Sequence, residues 1–155
     1  MSSLLAVLKS FSLMVLLFGL LTQAAPAFER RQIGNLQCNI NRLQIVANLA
    51  KLKGAVTTLG TDVASDAAAT AAVTTAQGGI TDAENGIKTI AQSLLTGQQA
   101  PADARDQVEA GLTAVNGALG NLTLTDATAS AQLDKAKTLL QKAATAGEGV
   151  VANCK

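Results

Sequence analysis

The 155-residue chain has no His, no Trp and no Tyr, and its only aromatic residues are three Phe. Those three, at positions 11, 18 and 28, lie near the start, together with both Met and one of the two Pro. Beyond Phe28 there is no aromatic ring. These absences argue against His-based acid–base catalysis, His-ligated metal, ring stacking on bases or sugars, and aromatic cages for cations. Charge is also sparse, with 12 Lys and Arg against 11 Asp and Glu.

The one long apolar run is at the beginning. Residues 1–27 have the three parts of a secretory signal: Lys9, an apolar stretch over 13–21, and small residues ending in Ala25-Pro26-Ala27. The stretch is too short for a membrane anchor, which needs about 20 apolar residues. Glu29, Arg30, Arg31 and Gln32 follow, and the dibasic Arg30-Arg31 reads as a processing site that ends a short propeptide, 28–31. The expected mature domain is therefore 32–155. Removing Lys9, Arg30, Arg31 and Glu29 leaves nine basic against ten acidic side chains, a balance with no electrostatic footprint for nucleic acid.

Two cysteines, Cys38 and Cys154, lie near the two ends of this domain. In an oxidising compartment an even count of two most simply forms one disulfide, and two thiols without His make a poor metal site. Asn121-Leu122-Thr123 is an N-glycan acceptor sequence, which predicts a surface turn at Asn121.

The domain shows no strand-type alternation. Its aliphatic residues recur at spacings of three and four, the signature of amphipathic helices. Ile45, Leu49, Leu52, Val56 and Leu59 predict a first helix over about 35–59, with Ile40 and Leu43 extending the same face and Gly60, then Thr61-Asp62, ending it and capping the next. An Ala/Thr-rich helix over 61–77 is expected to break at Gly78-Gly79, with Thr81 and Glu84 as a capping box for a third helix. One continuous helix is the alternative, because Val73, Ile80, Ile87 and Leu94 keep a seven-residue spacing. Gly97 stops the third helix, and Pro101 suits the first position of a fourth, with Asp103 and Asp106 in its opening turn. The fourth face is Val108, Leu112, Val115, Leu119 and Leu122. The fifth helix opens at Thr125-Asp126 and carries Leu133, Ala136, Leu140 and Ala143, with Lys135, Lys137 and Lys142 nearer its C-terminal end. Short links between such helices predict an all-α fold, an antiparallel bundle of four to five helices.

No catalytic constellation emerges. A nucleophilic Ser, Thr or Cys needs a neighbouring base, and the carboxylate pairs Asp103/Asp106 and Asp82/Glu84 fall at predicted helix starts, where dipole and cap chemistry explains them. Gly78-Gly79 lacks the Lys and strand context of a phosphate loop, and the Thr spacing is too irregular for an ice-binding lattice. The expectation is a non-enzymatic protein with no cofactor and no metal. Aliphatic helix faces are left as the means of recognition. Ile45, Leu49, Leu52, Ile80, Ile87, Val108, Leu112 and Val115 are the residues expected to line an apolar binding face.

Residues 49–62 (LAKLKGAVTTLGTD) and 122–127 (LTLTDA), set in a secreted, Ala/Thr-rich helical domain without aromatics, are similar to the fungal hydrophobic surface-binding protein A and cell-wall galactomannoprotein group. Arg30-Arg31 fits fungal secretory processing. The resemblance rests on composition and rhythm over most of residues 32–146. It implies adsorption to hydrophobic surfaces, lipid or fatty-acid binding between helices, or recruitment of secreted hydrolases or cell-wall polymers. The chain departs from that group in its terminal Cys pair and in having no Ser/Thr-rich stalk or hydrophobic C-terminal tail. Those departures favour a free secreted protein over a wall-anchored one. The competing expectation is a structural or interaction protein of the cell wall or host interface, with a closed core and no lipid site.

Overall fold

Apolar residues recurring every three or four positions build four α-helices in the computed structural model, which describes residues 36–154 and among them contains no strand. The helices are α1 (Leu36–Asp62), α2 (Ala67–Leu95), α3 (Ala102–Gly120) and α4 (Ala127–Asn153). The expected signal segment 1–27, the propeptide 28–31 with Arg30 and Arg31, and the first residues of the expected domain lie outside the described residues.

Two expected boundaries move. Helix α1 runs through Gly60 to Asp62, so neither Gly60 nor Thr61-Asp62 ends it. Gly60 instead faces α2, where an added Cβ would lie 3.1 Å from Val73 Cγ1. The cap of α2 is Asp66, whose side chain accepts from Ala69 N at 3.0 Å. The expected break at Gly78-Gly79 is absent, because α2 is continuous across both glycines. Thr81 is accordingly a mid-helix residue whose hydroxyl donates to the Gln77 carbonyl at 2.9 Å. Glu84 does not box with it and instead pairs with Lys53 of α1 at 2.7 Å.

The remaining ends follow local chemistry. Gly97 adopts φ 77°, a left-handed conformation that glycine takes without steric cost, directly after α2. Pro101 is the N-cap of α3, one position earlier than expected, and Asp103 lies in the first turn. Asp106 falls beyond that turn. Asp126 caps α4 and accepts from Ala129 N at 2.8 Å. Asp66→Ala and Asp126→Ala are each expected to cost about 1 kcal/mol. A lower urea midpoint at constant m reports this, and unchanged midpoints in both variants would remove the caps from any account of stability.

The helices run up, down, up and down. Cross-helix neighbours set the register: Lys53 with Glu84 between α1 and α2, Gly79 with Gly111 between α2 and α3, and Cys38 with Cys154 between α1 and α4. Helices α2 and α3 form one close pair and α1 and α4 the other, α1 with α2 and α3 with α4 meet less extensively, and the diagonal pairs α1/α3 and α2/α4 do not touch. Small residues make the α2–α3 approach close. A Cβ added at Gly79 would lie 2.6 Å from the Gly111 carbonyl, and one at Gly86 would lie 2.7 Å from that of Ala104. The continuity of α2 has the same cause. Glycine weakens an isolated helix by about 1 kcal/mol, but at position 79 it admits the neighbouring backbone, and tertiary packing outweighs the propensity.

The core is aliphatic and small. Leu52, Val56, Leu59, Ile80, Val115 and Leu119 are its largest fully buried side chains besides Cys38. The expected face of α4, Leu133, Ala136, Leu140 and Ala143, is buried throughout. The last turn of α4 holds no basic residue, and Lys137 of α4 reaches the Gly120 carbonyl at the C-terminus of α3, 3.4 Å away.

Candidate functional site

The eight residues expected to form an apolar binding face are in the interior. Ile45, Leu49, Leu52, Ile80, Val108 and Val115 are buried, while Ile87 and Leu112 are half-buried and packed against the core. They pack together in one core cluster across the helices.

Exposed apolar surface lies elsewhere. Leu36, Leu43, Val46, Leu95 and Val151 are 49–87% exposed. The first three are on the N-terminal part of α1, Leu95 ends α2, and Val151 is in the last turn of α4. In an up-and-down bundle those segments share one end, the end joined by the disulfide. Half-buried Ile40, Leu94 and Val150 belong to the same segments.

Helix geometry explains why Leu43 is outside. It was expected to extend the Ile45 face, but a step of two residues turns roughly 200° around a helix. Buried Cys38 and Asn41 continue the core face instead, so Leu36, Ile40 and Leu43 form a second stripe at spacings of four and three. That spacing is visible in the sequence. Helix α1 thus carries apolar residues on two faces, one inside and one outside.

Polar chemistry at this end is mostly neutral. From Thr89 to Pro101 there is no ionisable side chain, Arg42 is the one charge in residues 36–46, and Glu148 is the one in 146–153. Carboxamides take their place. The Gln37 amide donates to buried Asn41 Oδ1 at 3.1 Å, and Arg42 Nη1 donates to Asn39 Oδ1 at 3.4 Å. Asn41 occupies space left by Gly149 of α4, where an added Cβ would lie 2.5 Å from Asn41 Nδ2.

The disulfide holds the end together. Cys38 and Cys154 are joined with Cα atoms 5.0 Å apart, linking the first turn of α1 to the C-cap of α4. Asn121, the sequon residue, is exposed at the opposite end, as the C-cap of α3. No helix among the described residues is long and apolar enough to cross a membrane, and no group of three or more His, Cys, Asp or Glu there is placed to hold a metal ion. Comparisons with protein families, with curated proteins and with solved structures found no match to this chain.

Proposed function

We propose that this protein is secreted and, without enzymatic activity, adsorbs to hydrophobic surfaces or lipid through the apolar end of its bundle. The observation that carries this reading is the gathering of Leu36, Leu43, Val46, Leu95 and Val151 at the disulfide-linked end, beside a segment, Thr89 to Pro101, with no charge. Fully covering a Val or Leu side chain is worth about 1.5–3 kcal/mol. Neutral amides cost far less to desolvate than charges, so contact with an apolar phase retains most of that gain. The resemblance to hydrophobic surface-binding proteins points the same way. The burial of Ile45, Leu49, Leu52 and Val115 favours an external contact over an acyl chain held between helices.

The disulfide supports an oxidising, extracellular location, and a glycan on exposed Asn121 would lie away from the adsorbing end. The second reading, a closed-core structural or interaction protein of a fungal cell wall or host interface, draws on the same burial. One assay separates the two. The chain and a Leu43→Gln/Val46→Gln/Leu95→Gln variant are incubated with alkyl-coated beads, and bound protein is quantified. The variant is expected to bind several-fold less with its melting temperature within a few degrees, since exposed substitutions change stability by about 0.5 kcal/mol or less. Equal binding by both forms, or no binding by either, would favour the closed-core reading.

A further inference from the structure

The second feature of the surface is cationic and lies along the sides of α1 and α4. An open groove of about 620 Å³ runs between these helices, lined by Lys51, Gly54, Ala55 and Thr58 of α1 and by Lys135, Thr138, Leu139 and Lys142 of α4. No acidic residue lines it. Lys51, Lys135 and Lys142 have no carboxylate partner among the described residues, where Lys53 with Glu84 is the ion pair. The charge is also segregated at larger scale. Helices α1 and α4 carry six basic and three acidic side chains, whereas α2 and α3 carry two and five.

The arrangement has two poles. Lys51 and Thr58 are seven residues apart on α1, as are Lys135 and Lys142 on α4, a distance of about 10 Å along each axis. The antiparallel register set by Cys38–Cys154 and by Asn41 with Gly149 brings Lys51 and Lys142 to one end of the groove and Lys135 with Thr58 to the other. An amphiphile with one headgroup would leave a cation beside its tail, so cations at both ends fit a ligand with repeated negative charge. The hydroxyls add a second requirement. Thr58 donates to the Gly54 carbonyl at 3.1 Å and Thr138 to that of Asp134 at 2.9 Å, so their oxygens are left as acceptors. A ligand for this groove carries anions for the lysines and hydroxyl donors for the threonines, and it lies flat on a narrow floor of Gly54, Ala55 and Leu139.

We infer that the α1–α4 groove binds a linear acidic polysaccharide, with carboxylates at the two cationic poles and sugar hydroxyls between them. No aromatic stacking is needed, because charge and hydroxyl recognition supply the contacts. The site is separate from the apolar end and stands or falls independently of adsorption.

Gly54 provides a direct test. Gly54 lines the groove and a Cβ there meets nothing within 4 Å, so Gly54→Phe puts a bulky side chain at the groove without a clash at its root. Binding of a short oligogalacturonate to the full disulfide-bonded chain is measured by calorimetry at low and moderate salt, against a neutral oligosaccharide of equal length and vesicles containing an anionic phospholipid. Binding of the acidic sugar alone, weakening with salt, is the expected result. Lys51→Gln/Lys142→Gln should weaken it by about tenfold or more, and Gly54→Phe should weaken it comparably at a melting temperature no lower than that of the unsubstituted chain. No binding of the oligogalacturonate overturns the proposal. So does binding that both variants leave intact, equal binding of the neutral sugar, or binding of vesicles alone.

Discussion

Removing the Cys38–Cys154 crosslink is expected to lower the melting temperature by roughly 10–20 °C. The two cysteines are 116 positions apart, so the bond closes nearly the whole described chain into one loop. In the chain-entropy description a loop of that length is worth about 4–5 kcal/mol, nearly all of it through restriction of the unfolded state. The native contribution is local. Helix α1 begins two residues before Cys38, and its outer stripe of Leu36 and Leu43 makes little contact that would hold the first turns in place. Cys38 itself is fully buried, so a mild reductant acts mainly on opened molecules. The Cys38→Ala/Cys154→Ala variant therefore accompanies the reduced protein in the measurement. Both should unfold earlier and by similar amounts. A transition unchanged in both would show that helix packing alone holds α1 against α4.

The glycines of α2 should separate by sign. Gly78 and Gly79 are adjacent, yet an added Cβ at Gly78 meets nothing within 4 Å, while at Gly79 it would lie 2.6 Å from a backbone carbonyl. Gly78→Ala is expected to stabilise the protein by about 0.5–1 kcal/mol through helix propensity. Gly79→Leu or Gly111→Leu should destabilise it by about 3 kcal/mol, at the upper end of overpacking effects. The obstacle is backbone in both cases: a Cβ at Gly111 would lie 2.5 Å from the Gly79 carbonyl and 2.8 Å from Ala83 N. No rotamer change relieves such a contact. The helices have to move apart and loosen Ile80 and Val115, which are buried beside them. Chemical denaturation of the three variants tests the argument, and destabilisation by Gly78→Ala equal to that by Gly79→Leu would refute it.

Much of the helical plan was legible in the spacing of aliphatic residues. Leu133, Ala136, Leu140 and Ala143 face the core, as do Leu49, Leu52, Val56 and Leu59, because a repeat of three and four specifies one side of a helix wherever one side is buried. Asp126 before an Ala-rich stretch marked the start of α4, and Gly97 marked the end of α2. The misplaced boundaries involve residues whose local preference is weak or conflicting. Gly60, Gly78 and Gly79 read as breakers when only the chain is considered, yet each lies inside a helix. At 60 and 79 a neighbouring helix comes close to the missing Cβ. Thr81 and Glu84 had the spacing of a capping box, but a cap needs free N–H groups at a helix start, and a continuous α2 offers none at that point.

The candidate sites divide in the same manner. Periodicity identified which aliphatic residues share a face, and it correctly grouped Ile45, Leu49 and Leu52, but a face lining a binding surface and a face filling a core have the same spacing. Burial distinguishes them. The outer stripe of Leu36, Ile40 and Leu43 had its own regular spacing and was legible only as an extension of the inner one, because Leu43 and Ile45 are close in sequence and far apart around the helix. The cationic groove was less accessible still. Lys51, Lys135 and Lys142 are remote in the chain, and only the antiparallel pairing of α1 with α4 brings them together.

By itself the sequence determined a helical domain without histidine and, beyond Phe28, without an aromatic ring, whose two cysteines can pair only with each other. Those properties follow from residue identity and from short-range periodicity, which survive without knowledge of the fold. The tertiary structure decided which apolar faces fill the core, that the exposed ones lie towards the disulfide-linked end, and that three lysines share one groove. Each of these depends on which helices pair and in what register, and close contact between glycine backbones and a crosslink over 116 positions are interactions that no local window of the chain contains.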